Sequence, residues 1–361
     1  MRKYFVQLLK KNLLPLACLT LLCVIVYVVP IAAENYYYWN TYTTHVNLYY
    51  EYLAVALGCL SVLIPIYLFS YKMNKRSVDM YYSLPISRTK ILVANFLVGL
   101  IMLYVSYTIA YLLGFMVIAA RVQHLYLVYY LPLYFASLIP AFILYAVAAF
   151  VYTRANTVID GIISVIGVLF LLTMLFSAYD TILRGYDVVS EVLDGEKFLP
   201  FGALLQANAY IGRGLTTNKV GLWFSERRIN HTGYRAELLS DIYELMGDIL
   251  WLLLAVAATV ALIVTEKNCK AENCGQTSES IFSFKVLIPA YTALLTILTL
   301  DNEEYTLLFV VLFAAFVLSV IYKRKINIGW KFAVVLAACV MGAAVLYYVS
   351  TAILDVYRGY W

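Results

Sequence analysis

The sequence predicts an all-α polytopic membrane protein, a bundle of helices that cross the bilayer several times. Three observations carry this. Of the 361 residues, 64% are hydrophobic and only 13% charged, and the mean hydropathy is +0.83, whereas soluble domains sit near half apolar and a quarter charged. The apolar residues gather into nine segments, each close to the roughly 20 residues a helix needs to span the hydrocarbon. The short alternating segments of a β-barrel are absent, and in lipid every backbone polar group must be paired internally, which leaves helices.

The elements follow in order. In residues 1–12, Tyr4, Phe5, Leu8 and Leu9 share one helical face, with Lys3, Lys10 and Lys11 towards the other. That spacing predicts a short helix lying flat at the inner interface, or a basic flank that merely orients the first span. The spans are Leu13–Ala33, Leu48–Ser70, Ile91–Ala119, Val128–Tyr152, Val158–Ser177, Asp248–Thr265, Ile281–Leu300, Tyr305–Tyr322 and Phe332–Leu354. The first follows basic residues, and Ile31-Ala32-Ala33 faintly resembles a cleavage site, but its apolar run exceeds a signal-peptide core and it reads as a retained helix. Glu34 to Asn47 holds Tyr36, Tyr37, Tyr38, Trp39 and Tyr42, an aromatic belt at headgroup level or a ligand-recognition surface. Thr157-Val-Ile-Asp160 has capping-box spacing at the start of span five, so Asp160 serves the helix end or, alternatively, an ion path. Ala178 to Gly247 is the largest soluble piece, and Leu238, Leu239, Ile242, Leu245, Met246 and Ile249 recur in it at helical spacing towards span six. Lys285 falls inside span seven, where it can snorkel to the interface. The Asp301-Asn-Glu-Glu304 turn makes a hairpin of spans seven and eight.

Orientation follows from Lys and Arg near the span ends. Placing the N-terminus in the cytoplasm puts 17 of the 26 basic residues inside. Of the other nine, seven lie in the long loop, which translocates largely regardless of charge, leaving Arg121 and Arg358 to oppose the assignment. Nine spans then leave the C-terminus outside. The basic balance belongs to this pattern and not to nucleic-acid binding.

Enzyme chemistry finds little support. There is no GxxxxGK[ST], HExxH or GxSxG, and the three histidines, His45, His124 and His231, all fall in outer connections. Six cysteines give no disulfide framework: Cys18, Cys23, Cys59 and Cys339 lie in spans, Cys269 and Cys274 in an inner loop. The last two with Glu272 do not close a zinc shell. The energy source therefore lies elsewhere.

The connection Tyr71–Lys90 is the informative one. Asn74 can cap a short helix, Val78, Tyr81 and Tyr82 fall on one face of it, Pro85 ends it, and Ser87 caps span three. A short helix held between two spans is a lever, since force applied there tilts both; an ordinary basic loop with a proline turn is the plainer alternative. In span three, Tyr104, Tyr107 and Tyr111 form one stripe, suited to helix packing or to lining an amphipathic substrate path.

Tyr81-Tyr-Ser-Leu-Pro-Ile-Ser-Arg-Thr-Lys90 resembles the segment between the second and third helices of permease subunits in the ABC-2 class of ABC exporters. The matching positions are Leu84, Pro85, Ile86, Ser87 and Arg88, with Asp79 upstream. Lys270, Glu272 and Gly275, after span six, resemble a basic-x-Glu-x-x-Gly pattern in a bacterial branch of that family with extra C-terminal helices. Leu199-Pro200-Phe201 resembles a proline run in the family's outer loop. Members of the branch often continue past the last helix into an outer domain, and this sequence ends at Trp361.

The resemblance implies a type V exporter-like core of six helices over 13–265, with 71–90 as coupling-helix loop and 178–247 as outer loop, and about three accessory helices in 266–361. It implies a multi-pass protein of the cell membrane that is not itself an enzyme and binds no cofactor. ATP and Mg are held by a partner, a dimer of cytoplasmic ATPase subunits, and a second permease, identical or related, completes the pathway in membrane lipid. Docking on the ATPase would use Tyr81, Tyr82, Leu84 and Pro85 as the apolar contact with Arg76 and Asp79 at its polar rim, and Val78 and Arg88 count among the same coupling residues. Export of an amphipathic, peptide, lipid or drug-like substrate is the expected activity; a membrane sensor or scaffold in an ABC-type complex is the alternative.

Overall fold

The computed structural model describes residues 2–33, 50–121, 130–183, 249, 252–266, 275, 284–301, 305–323 and 330–359. Among these, regular structure is helical throughout, as the composition predicts, and a helix coincides with each of the nine apolar segments. The elements are α1 (Arg2–Lys11), α2 (Leu13–Ala33), α3 (Tyr50–Phe69), a 3₁₀ turn (Ser70–Met73), α4 (Lys75–Tyr82), α5 (Arg88–Arg121), α6 (Tyr130–Tyr152) and α7 (Val158–Leu183). They continue with α8 (Leu252–Thr265), α9 (Phe284–Asp301), α10 (Tyr305–Lys323) and α11 (Trp330–Gly359). Leu13–Ala33, Tyr52–Met73, Arg88–Ala120 and Phe332–Ile353 are each long and apolar enough to cross a membrane. Helix α7 runs to Leu183, past the Ser177 expected, because 178–183 holds no Gly or Pro to stop it. The loop aromatics of 34–47, the helix expected before span six, Leu199-Pro200-Phe201, Lys270 and Glu272 lie outside the described residues.

The chain divides into two compact units. The first contains α1 to α5, α6 as far as Phe150, and α8. Here α2, α3 and α5 pack on one another. Helix α2 contributes Cys23, Tyr27 and Ile31, four residues apart, α3 contributes Leu53, Leu57, Leu60 and Ile64, and α5 contributes Val98, Met102, Leu103, Tyr107 and Tyr111 to one buried cluster. Close approach is made by small residues. A Cβ on Gly114 would stand 2.5 Å from the Tyr27 ring, and one on Gly99 would run into the Tyr145 hydroxyl, which donates to the Phe96 carbonyl at 2.9 Å. Ser61 of α3 donates to its own Leu57 carbonyl at 2.7 Å and to Ala141 of α6 at 3.2 Å, the bonding by which polar residues fasten helices in lipid.

The second unit contains α7, α9, α10 and α11, with α9 packed on the other three. Tyr291 of α9 donates to the Gly167 carbonyl of α7 at 2.7 Å. Thr292, Thr296 and Thr299 are buried, and each donates back to a carbonyl one turn earlier in α9. Lys285 stands exposed in the first turn of α9, at the helix end where an ammonium can leave the apolar layer. The outward faces are apolar: Phe309 of α10 is 73% exposed, with Phe313 close behind, and Met341 and Val345 do the same on α11. Such continuous apolar surface suits hydrocarbon as its solvent.

Candidate functional site

Helix α4 is made by its local sequence. Asn74 is extended at φ −113° and ψ 116°, and its side chain accepts from the Arg76 N–H at 3.1 Å. At the other end the Ser83 N–H donates to the Asp79 carbonyl at 3.1 Å and the Ser83 hydroxyl to Met80 at 2.8 Å. Pro85 follows, and the chain re-enters a helix at Arg88, where the Ser87 carbonyl accepts from Lys90 and Ile91 at 2.9 and 3.1 Å. Ser87 therefore occupies the N-cap position expected of it, although its hydroxyl faces Thr89 Oγ1 at 3.5 Å instead of a backbone N–H.

The two faces of α4 differ. Val78 is 3% exposed, and Tyr81 and Tyr82 are half-buried. Tyr81 lies against Tyr71 with ring centroids 4.4 Å apart, under the Lys11 ammonium at 6.0 Å. The Arg88 guanidinium sits over the Tyr82 ring at 4.2 Å, a cation–π contact that joins α4 to the start of α5. The other face presents Arg76, Asp79 and Ser83, with Met80 at 59% exposed, and continues into exposed Leu84 and Pro85. Of the residues predicted for docking, Val78 thus anchors the helix inward, Tyr81, Tyr82 and Arg88 brace it, and Arg76, Asp79, Leu84 and Pro85 lie outward. Met80, which the sequence reading passed over, is the most exposed apolar side chain of α4.

Helix α1 supports the same place. Its apolar face, Tyr4, Phe5 and Leu8, packs on the buried cluster of this unit, while Arg2, Lys3, Gln7 and Lys10 face out. Burial pushes the Tyr4 phenol up, and neighbouring Tyr81 adds to that against an opposite pull from Asn95. Asn12, buried at the α1–α2 junction, donates to Leu8 at 2.9 Å and accepts from Tyr67 of α3 at 3.3 Å.

A pair that sequence reasoning missed completes the site. Lys72, in the 3₁₀ turn two residues before the α4 cap, forms a salt bridge with Glu266 at the end of α8, and the two side chains are 7% and 1% exposed. Removing one member of a buried pair strands the other charge, at a cost of about 3–5 kcal/mol. The available signal was an acid directly abutting an apolar span, where Lys267 follows it.

The other predicted residues lie elsewhere. Tyr107 and Tyr111 are buried and Tyr104 partly so. Their company is Tyr134 of α6: its ring stacks on Tyr107 at 5.5 Å and meets Tyr111 at 5.4 Å, and its hydroxyl is 2.7 Å from Thr108 Oγ1. The stripe is thus used in packing. Gly275 belongs to the second unit, where it adopts φ 82° and its N–H donates to the Asn156 carbonyl at 3.0 Å. Beside it Thr157 Oγ1 accepts from the Asp160 N–H at 3.2 Å, the cap expected from the spacing. No group of three metal-ligating side chains occurs among the described residues.

A scan against protein-family models matches residues 29–198 to the family described as ABC-2 family transporter protein. Searches of curated proteins and of solved structures give no match. The matched stretch contains α3 to α7 and so the whole of α4. Residues 29–198, just under half of the chain, are thus similar to an ABC-2 transporter domain, in a chain whose long apolar helices are those of a membrane protein.

Proposed function

We propose, with the ABC-2 transporter domain as premise, that the chain is the permease of an ABC exporter, moved by ATP that a separate cytoplasmic subunit hydrolyses. The observation that carries this is α4: a short, capped helix braced on one side by Tyr71, Lys11 and Arg88 and bare on the other. A helix so held moves as a body with its neighbours. Its bare face, Met80, Leu84 and Pro85 rimmed by Arg76 and Asp79, has the apolar centre and polar edge of a protein-docking surface. Since α4 joins α3 to α5 through the 3₁₀ turn and the Pro85 turn, a push on that face reaches two spans at once.

In this reading α4 and the N-terminus face the cytoplasm, in agreement with the excess of basic residues on that side. ATP and Mg are bound by the partner, whose two subunits close on ATP, reopen after hydrolysis, and so rock a pair of permeases between inward and outward states. The substrate crosses outward, and the apolar, tyrosine-rich helices favour an amphipathic one. The Tyr104–Tyr107–Tyr111 stripe serves as packing, given its burial against Tyr134.

Affinity purification from native membranes tests the reading. The wild-type chain should bring down a nucleotide-hydrolysing subunit and a second permease. Replacing Met80 and Leu84 together by Asp should cut that recovery at least about 30-fold, as loss of a docking centre worth 2 kcal/mol or more does, with membrane insertion intact. Undiminished recovery overturns the docking role. ATP turnover stimulated by a ligand without efflux from vesicles would replace export by sensing.

A further inference from the structure

We infer that Lys72 and Glu266 are positioning residues that tie the α4 lever to α8, so that a push on α4 is delivered to a third span. The inference rests on the proposed function and extends it to a part of the chain that the family match over 29–198 does not reach. Helices α3 and α5 are covalently continuous with α4 through the two short turns, but α8 stands 194 residues away in sequence and has no such link. Among the described residues, the salt bridge beside its last turn ties it to the turn that leads into α4.

The chemistry of the pair suits a tether better than it suits general stability. Lys and Glu are rarely this buried unless paired, and a packed apolar pair of similar volume holds a fold as well or better. What the ion pair adds is direction and reach: it fixes the end of one helix to one point on another element and is little screened at that depth. Lys72 is well placed for this, since it stands in a tight 3₁₀ turn, is followed two positions later by the Asn74 cap, and is preceded by Tyr71, on which Tyr81 of α4 rests. Helix α8 is equally fit to be moved as a body. It buries only the narrow stripe Ala255, Ala258 and Leu262, and Leu253, Val260 and Val264 face away.

The test uses the complex purified with its ATPase, in a chain whose six native cysteines are replaced. A single Val264→Cys reports α8 through its maleimide labelling rate, with and without trapping by ATP and vanadate. Trapping should change the rate several-fold in the wild-type background and in Lys72→Arg, which preserves the pair, and should leave it within a factor of about two in Glu266→Gln, which should still retain the ATPase. If Glu266→Gln does not reach the membrane, the apolar double variant Lys72→Met with Glu266→Leu decides the question, because it removes the charges without stranding either. Retention of the ATPase with an undiminished response in Glu266→Gln or in the double variant overturns the tether alone. A wild-type chain that retains no ATPase overturns the exporter reading, and the tether with it.

Discussion

At the residue scale, close helix contact in this protein depends on side chains that are missing as much as on those present. The ring of Tyr27 occupies the space over Gly114, and both sit in a buried cluster with little room to give. Gly114→Val should therefore lower stability by about 1–3 kcal/mol, the range for overpacking a filled core, read as earlier thermal unfolding in detergent. Tyr107→Phe separates packing from transport. The ring contacts with Tyr134 and Tyr111 remain and the buried hydroxyl makes no well-formed hydrogen bond, so efflux should stay near wild type and stability should change by less than about 1 kcal/mol. The stripe of tyrosines was legible in the sequence because periodicity shows which residues share a face. Tyr134 as their partner was not, because periodicity says nothing about which helix that face meets.

At the element scale, α4 is the case where local chemistry and tertiary packing can be told apart. Its cap, its end at Ser83 and the turn at Pro85 follow from side chains within a few positions of one another, and the sequence carried all of them. Asn74→Ala should cost about 1 kcal/mol of local stability, visible as faster amide exchange in residues 75–78 with the rest of the chain unchanged. Which face of α4 turns inward depends on Tyr71, Lys11 and Arg88, which come from three other elements. A sequence read by position alone groups Val78 with the docking residues, although it lies beneath them. Glu266 was hidden for the same reason, since its partner lies 194 residues away. Gly275 stood out in the sequence only as part of a short pattern; its positive φ and its bond to Asn156 give it a conformational reason.

At the scale of the whole molecule, composition alone fixed the fold class, because a chain so apolar has few ways to satisfy its backbone outside water. The positions of the spans were legible for the same reason, and each apolar segment carries a helix among the described residues. The grouping of the helices was harder to read. Packing joins α7 to α9 and α11, whereas chain order sets α7 beside α6 and α8. Apolar runs of similar composition give no sign of which of them pair, since in lipid the choice rests on small residues and a few hydroxyls, such as Tyr291 on Gly167. The positive-inside count predicts a simple topological outcome: a cysteine introduced at exposed Lys75, in a chain lacking native cysteines, should react with an impermeant maleimide only after the membrane is opened.

The central claim is that α4 is gripped by an ATPase through the face turned away from the bundle. Photocrosslinking residues placed singly at positions 78, 79, 80, 83 and 84 in native membranes test it most directly. The account predicts crosslinks to a nucleotide-hydrolysing subunit from 79, 80, 83 and 84 and none from 78. Crosslinks from 78 alone, or no ATPase at any of the five positions, would contradict it.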